Sequence, residues 1–115
     1  MKDTAGAVFQ ALADPTRRRV VYELSKDGPL TATDLAKRIP VTRQAIAKHF
    51  AALEDAELAV GTRVGRETRY ELRTQAFAEA EAWMRAIGAT WDQRLARFKE
   101  FVEAVPKGTG GRRSP

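Results

Sequence analysis

Arg43, Gln44, Ala47 and Lys48 cluster in a stretch where Ile46, Phe50 and Leu53 recur at spacings of four and three. On a helix opened by Thr42, the apolar three share one face and the polar group falls opposite. These residue types suit one chemistry. Arg and Gln can each make paired hydrogen bonds to base edges, Lys adds a charge, and a small Ala lets a helix approach a groove floor. Any surface helix also carries Arg, Gln and Lys, so this face alone leaves a solvated surface open. A second cationic group follows, with Arg63, Arg66 and Arg69 at three-residue steps.

Other chemistries are poorly served. The chain has no cysteine and one histidine, His49. That removes disulfides, zinc–thiolate sites, cysteine nucleophiles and any metal site needing two imidazoles from one chain. No nucleophile–base constellation, phosphate-binding glycine loop or pair of carboxylates at a plausible cleft is present, so neither enzyme activity nor a cofactor is expected. His49 sits at the edge of the Ile46/Phe50/Leu53 stripe. It reads as a partly buried structural histidine, with a phosphate or base contact as the alternative.

The 115 residues fit a single domain, and 43% apolar side chains are enough for a core. We expect that domain over residues 1–105 and a disordered basic tail over 106–115. The formal charge of +5 invites a polyanionic partner, but the last ten residues hold three basic and no acidic side chains. More than half the excess lies there, so net charge is weak evidence and the case rests on geometry. No apolar run reaches 18 residues and the N-terminus lacks a signal-peptide layout, which predicts a cytoplasmic protein without a membrane partner.

The positioning elements follow from breakers and caps. A short apolar-faced helix over 7–12, with Val8, Phe9 and Leu12, stops before Asp14-Pro15, an N-cap followed by a first-turn proline. The next helix carries Arg17, Arg18 and Arg19, which fit either a solvated face or a phosphate contact, and ends before Asp27-Gly28-Pro29. Thr31 and Asp34 form a capping-box start for a helix with Leu35, Ala36 and Ile39, broken at Pro40-Val41. Thr42 caps the next helix, to residue 56, and the pair reads as a helix-turn-helix.

Residues 59–64 and 68–73 then read as a β-hairpin around Gly65-Arg66-Glu67. A three-residue loop sets Val64 opposite Thr68, Thr62 opposite Tyr70 and Val60 opposite Leu72, one largely apolar face. A two-residue loop would mix Val60 and Val64 with Glu67, Arg69 and Glu71, so the three-residue loop is expected. Arg63 and Arg69 are then close like charges across the ladder, which is unfavourable unless an anion lies between them. With Arg66 at the tip this suggests phosphate; a solvated hairpin flanked by Glu67 and Glu71 is the alternative.

Residues 75–102 form a long helical pattern in which Phe77, Ala80, Met84, Ile87, Trp91, Leu95, Phe98 and Val102 recur at steps of three or four. So small a domain cannot easily cover this stripe, and a second copy of the chain would do so. The rival is a helix folded back over its own core. Gly88 marks either a bend or a close helix approach.

The segment Ala11-Leu12-Ala13-Asp14-Pro15-Thr16-Arg17-Arg18-Arg19, the helix-turn-helix ending in Lys48-His49-Phe50, and the hairpin Val64 to Tyr70 together closely resemble the ArsR/SmtB family of bacterial repressors. The match covers about residues 7–73, and the late helix with Trp91, Arg94 and Leu95 looks like the dimerisation helix of a metal-independent branch. The resemblance implies a mainly α, α+β winged helix-turn-helix with a two-stranded wing and a long C-terminal dimerisation helix. It implies a homodimer on a partly palindromic operator in double-stranded DNA. By position, Thr42, Arg43, Gln44 and Lys48 match the recognition helix and Arg63, Arg66 and Arg69 the wing. Metal-sensing members carry cysteines on the first helix of the motif, or His and acidic ligands on the last; here the former reads Thr33-Asp34-Leu35-Ala36-Lys37 and the latter has no histidine. Glu57 stands where relatives usually have Gly.

The expected function is a dimeric repressor; a winged-helix module that binds protein instead of DNA is the alternative. A small-molecule inducer is conceivable at Trp83, Met84, Ile87 and Trp91, although the same residues make an ordinary interface core.

Overall fold

Each of the first four helices starts where a side chain satisfies its free N–H groups. In this computed structural model, which describes residues 3–104, helix α1 (Thr4–Ala11) is capped by Asp3, which accepts from the Gly6 N–H at 2.9 Å. Helix α2 (Pro15–Asp27) is capped by Asp14, which accepts from the Arg17 N–H at 3.0 Å, with Pro15 in the first position. Helix α3 (Ala32–Ala36) opens with the reciprocal Thr31–Asp34 box, both bonds 3.0 Å. Helix α4 (Arg43–Asp55) begins at Thr42, whose hydroxyl accepts from the Ala45 N–H at 3.1 Å. Strands β1 (Ala59–Val64) and β2 (Glu67–Leu72) pair antiparallel, and helix α5 runs over Thr74–Ala104. The architecture is the winged helix-turn-helix expected from the sequence. The tail expected over 106–115 lies outside the described residues.

Helix α3 ends earlier than its apolar pattern suggests. Pro40 disfavours a helical Ile39, and the chain tightens ahead of it, with Arg38 and Ile39 N–H both donating to Leu35 O at 2.9 Å. Ile39 is buried all the same. Helix α4 closes with a Schellman motif: the Leu58 N–H donates to Leu53 O at 2.8 Å and the Glu57 N–H to Glu54 O at 2.9 Å. Glu57 takes the left-handed position itself, at φ 61°. Leu53 and Leu58, brought together by this motif, are both fully buried, so a strained residue closes the helix over the core.

The chain forms two units, residues 1–82 and 83–115. The core of the first gathers Val8 and Ala11 of α1, Val20 and Leu24 of α2, Leu35 of α3, and Ile46, Phe50 and Leu53 of α4. Leu58, Ala59, Ala76 and Ala80 complete it. Phe9, expected on the apolar face of α1, is exposed. In the second unit every side chain from 83 to 101 is exposed, including Trp83, Met84, Ile87, Trp91, Leu95, Phe98 and Phe101.

One buried carboxylate ties the first helix-turn-helix segment to α2. Glu23 is only 3% exposed. Its Oε2 accepts from Arg19 Nε at 3.0 Å and its Oε1 from the Arg38 guanidinium at 3.0 Å; Arg38 also donates to Asp27 at 2.8 Å. Arg38 lies in the turn between α3 and α4, so this network fixes where α4 begins. The Arg38 and Arg19 bonds hold the Glu23 carboxyl below its usual range, against the opposing effect of burial. A depressed folded pKa stabilises at pH values above the unfolded value, about 4.3 for Glu, and that stabilisation is lost as pH falls through the folded value. Glu23→Gln is therefore expected to melt below the parent chain at pH 7. The gap should narrow steadily below about pH 4, read by circular dichroism melts across a pH series.

Candidate nucleic-acid interface

The two faces of α4 separate cleanly. Ile46, Phe50 and Leu53 are buried, while Arg43, Gln44, Ala47 and Lys48 are exposed. Arg43, Gln44 and Ala47 line one depression together with Ala32 of α3. Arg43, Gln44 and Lys48 have no hydrogen-bond or ion-pair partner among the described residues. Thr42 differs: its hydroxyl is engaged in the N-cap.

The hairpin departs from the register expected of it. Val64 pairs with Glu67, Arg63 with Thr68, Thr62 with Arg69, Gly61 with Tyr70, Val60 with Glu71 and Ala59 with Leu72. The loop is therefore the two residues Gly65-Arg66, not three. Gly65 sits at φ +64° and Arg66 keeps an ordinary backbone, which suits the II′ hairpin with glycine first. The expectation failed because it let the valines choose the buried face. Tyr70 keeps the covered face in either register, its ring stacked on Phe50 of α4 with centroids 3.7 Å apart and planes 12° apart; in β1 it is Gly61, not Thr62, that lies opposite it. The covered face carries Ala59, Gly61, Thr68, Tyr70 and Leu72, while Val64, Glu67, Arg69 and Glu71 are exposed.

With that register the cross-strand arginine repulsion disappears. Arg63 and Arg69 oppose threonines and point to opposite faces. Arg63 Nε donates to Gly65 O at 3.1 Å, and Arg69 pairs with Glu67 at 3.3 Å. Arg66, at the tip, has no such partner among the described residues. Arg63 and Arg69 thus shape the wing, and no cross-strand repulsion between them calls for an anion.

Tyr70 also locks the wing from its backbone. Leu30 N–H donates to Tyr70 O at 3.0 Å and Tyr70 N–H to Leu30 O at 2.9 Å. Glu54 of α4 accepts from the Gly61 N–H at 3.2 Å. A Cβ at Gly61 would lie 2.8 Å from the Tyr70 ring, so only glycine leaves the ring its place. Burial and the nearby Glu54 charge push the Tyr70 phenol above its usual range. Above the Phe50–Tyr70 stack runs a groove of about 220 Å³ reached by Arg43 from α4 and Arg66 from the wing. Thr33 and Thr68 also line it. Neither threonine is among the residues expected to bind DNA; the packing of α3, α4 and the wing around one groove brings them to it.

The consecutive arginines of α2 are largely structural. Arg17 donates to Ala11 O at 3.0 Å, and Arg18 to Leu12 O at 2.7 Å and Ala13 O at 3.3 Å, closing the turn between α1 and α2. Arg19 pairs with Glu23. His49 is half-buried, as expected of a structural histidine, with Nδ1 accepting from Arg17 Nε at 3.4 Å. Among the residues expected at a dimer interface, Phe77 is half-buried against the core of the first unit, whereas Met84, Ile87, Trp91, Leu95 and Phe98 are exposed. Arg94 lies over the Trp91 ring, 5.4 Å from its centroid.

Comparison with known proteins agrees with this arrangement. A family model described as a helix-turn-helix domain matches residues 12–62. The chain is 35% identical over 77 residues to the transcriptional repressor SdpR of Bacillus subtilis, covering 67% of this chain and 84% of that one. It is 31% identical over 96 residues to the HTH-type transcriptional regulator Rv2034 of Mycobacterium tuberculosis, covering 84% and 86%. An ArsR-like transcriptional regulator from Rhodococcus sp. RHA1, a solved structure, matches with a TM-score of 0.76 at 40% identity. That match covers 90% of this chain and 94% of the other.

The two-residue loop has a direct test. Gly65→Ala forces a Cβ into the left-handed region and is expected to cost about 1–2 kcal/mol in urea unfolding. Gly65→Asn should be tolerated better, because Asn visits that region. A neutral Gly65→Ala would speak for the three-residue loop.

Proposed function

This chain belongs to the ArsR/SmtB family of helix-turn-helix transcriptional regulators, and from that premise we propose that it is a metal-independent, dimeric repressor that reads a partly palindromic operator with α4 and the wing. The observation that carries this reading is the groove walled by Arg43 and Arg66, two guanidinium groups from different elements with no partner among the described residues. Cations left unpaired on a concave surface fit a phosphate-lined duplex far better than an apolar or basic protein partner.

In this reading α4 enters the major groove. Arg43 and Gln44 meet base edges, Ala47 keeps the helix close, and Lys48 adds a phosphate contact. Thr42 fixes the helix start through its cap, and Arg66 reaches the backbone or minor groove from the wing tip. Arg63 and Arg69 hold the wing in shape and add to its positive field. Metal independence is supported by composition: with no cysteine and one histidine, only a weak carboxylate site is available. Dimerisation is supported by Met84, Ile87, Trp91, Leu95 and Phe98, all exposed along α5, since a stripe this apolar calls for cover. The same residues serve better as interface core than as an inducer pocket. Two half-sites about 34 Å apart, one helical turn, would then face the two α4 helices.

Two experiments test the reading. Arg43→Ala should lose about 1–3 kcal/mol of operator affinity while leaving scrambled duplex nearly unchanged. Arg66→Ala should weaken both alike and lower the salt slope by about 1. Fluorescence anisotropy across a salt series measures both, and equal losses for Arg43→Ala would remove it from the base-reading set. Separately, Trp91→Ala combined with Leu95→Glu should sediment as a monomer and bind the operator about a hundred-fold more weakly, as loss of bivalency requires. A monomeric parent chain that still binds tightly would overturn the dimer.

A further inference from the structure

A DNA strand has to cross the groove between α4 and the wing. With α4 in a major groove and the wing tip at the adjoining minor groove, the sugar–phosphate chain dividing the two passes between the elements that enter them. The groove of about 220 Å³ at that place is bounded by three elements: Thr33 of α3, Arg43 of α4, and Arg66 and Thr68 of the wing. We propose that it is the seat of one backbone phosphodiester, held by the Thr33 and Thr68 hydroxyls together with the Arg66 guanidinium. This rests on the reading of α4 as the DNA-reading helix and adds two binding residues to it.

The donors fit such a ligand by type and by availability. Thr31 also borders the groove, but its hydroxyl accepts from the Asp34 N–H at 3.0 Å in the α3 cap. Thr33 is exposed and Thr68 half-buried, and neither hydroxyl has a hydrogen-bond partner among the described residues. A Cβ at Gly61 would lie 3.0 Å from the Thr68 methyl carbon. The methyl branch is thus packed over β1, and the hydroxyl is the branch left for a ligand. A hydroxyl donates one hydrogen bond and a guanidinium several, none of them accepting. Together they match the two non-bridging oxygens of a phosphodiester and their shared negative charge. Arg43, at the first position of α4, borders the same groove and keeps its own guanidinium for base edges.

The surroundings favour a single anion. Glu67 also borders the groove, and Arg69 holds its carboxylate at 3.3 Å, which offsets its repulsion of a phosphate. Below lies the stack of Phe50 and Tyr70. Burial and the Glu54 charge push the Tyr70 phenol above its usual range, so it adds no negative charge at neutral pH. Over so apolar a floor, hydrogen bonds to a charged oxygen are stronger than in open water. The seat carries no sequence information. It fixes how deep and at what register α4 enters the groove beside it.

Four variants separate hydroxyl from shape. Thr33→Val and Thr68→Val remove the hydroxyls and keep the branched side chain, while Thr33→Ser and Thr68→Ser restore them. Fluorescence anisotropy should find each valine variant about five-fold weaker on operator and scrambled duplex alike. The salt slope should stay as in the parent, because no cation has been removed. Each serine variant should recover most of that loss. A neutral methylphosphonate, placed at one phosphate of the half-site at a time, then locates the seat. One position should weaken the parent about ten-fold and leave the Thr33→Val/Arg66→Ala/Thr68→Val variant nearly indifferent. Losses confined to the operator would make the threonines base contacts. Serine variants as weak as the valine ones would make them packing residues. Equal responses of parent and triple variant at every phosphate would leave the groove without one. Each of these results overturns the seat. A parent that binds neither duplex overturns the DNA-reading assignment itself; shifts of the Thr33 and Thr68 amide signals on adding inorganic phosphate would then give the groove to a free anion.

Discussion

The stack of Tyr70 on Phe50 is the contact on which the rest of the site depends. Phe50 faces inward from α4 because Ile46 and Leu53 share its stripe, and Tyr70 lies over it from the wing. Such a pair contributes about 0.5–1.5 kcal/mol beyond its buried area, but its larger effect is on register. In the three-residue register Tyr70 would keep its face, but Thr62 would stand opposite its ring where Gly61 now does. By taking Gly61 as the residue opposite it, the stack selects the two-residue loop, places Gly65 where a positive φ is needed, and leaves Arg66 at the tip. It also demands a glycine at position 61, where any Cβ would strike the ring.

The basic residues divide into two populations that composition cannot separate. Arg17, Arg18, Arg19, Arg38, Arg63 and Arg69 bind carbonyls, carboxylates or an imidazole within the chain. Their planar, multiply donating heads suit helix ends and buried carboxylates, where a lysine would make a single contact. Arg43, Lys48 and Arg66 are left without such partners among the described residues. The location and partners of a cation thus say more about it than the formal charge of the chain.

Helix α5 changes character along its length. Ala76 and Ala80 are buried in the first unit, and Phe77 is half-buried there. From Trp83 onward the apolar side chains are exposed. Gly88 lies in this stretch, and a Cβ built on it meets nothing within 4 Å. A helix so apolar over its second half gains little from water on every side, which is the physical constraint behind the proposed pairing of two chains.

Sequence alone determined the starts of α2, α3 and α4, because caps act over three residues: Asp14, Thr31 with Asp34, and Thr42 each bind an N–H close by in the chain, whereas α1 begins three residues before the expected position, at the Asp3 cap. It also determined which face of α4 is apolar, since a helical period of 3.6 sorts Ile46, Phe50 and Leu53 from Arg43, Gln44 and Lys48. Tertiary structure alone decided the wing register, because Tyr70 faces inward in either one and only the ring packed on Phe50 shows that Gly61, which has no side chain, must lie opposite it. It likewise decided the fates of Arg17 and Glu23, whose partners His49 and Arg38 lie 32 and 15 residues away. Local chemistry is written into neighbouring residues, whereas a contact across the core exists only once the elements have been packed.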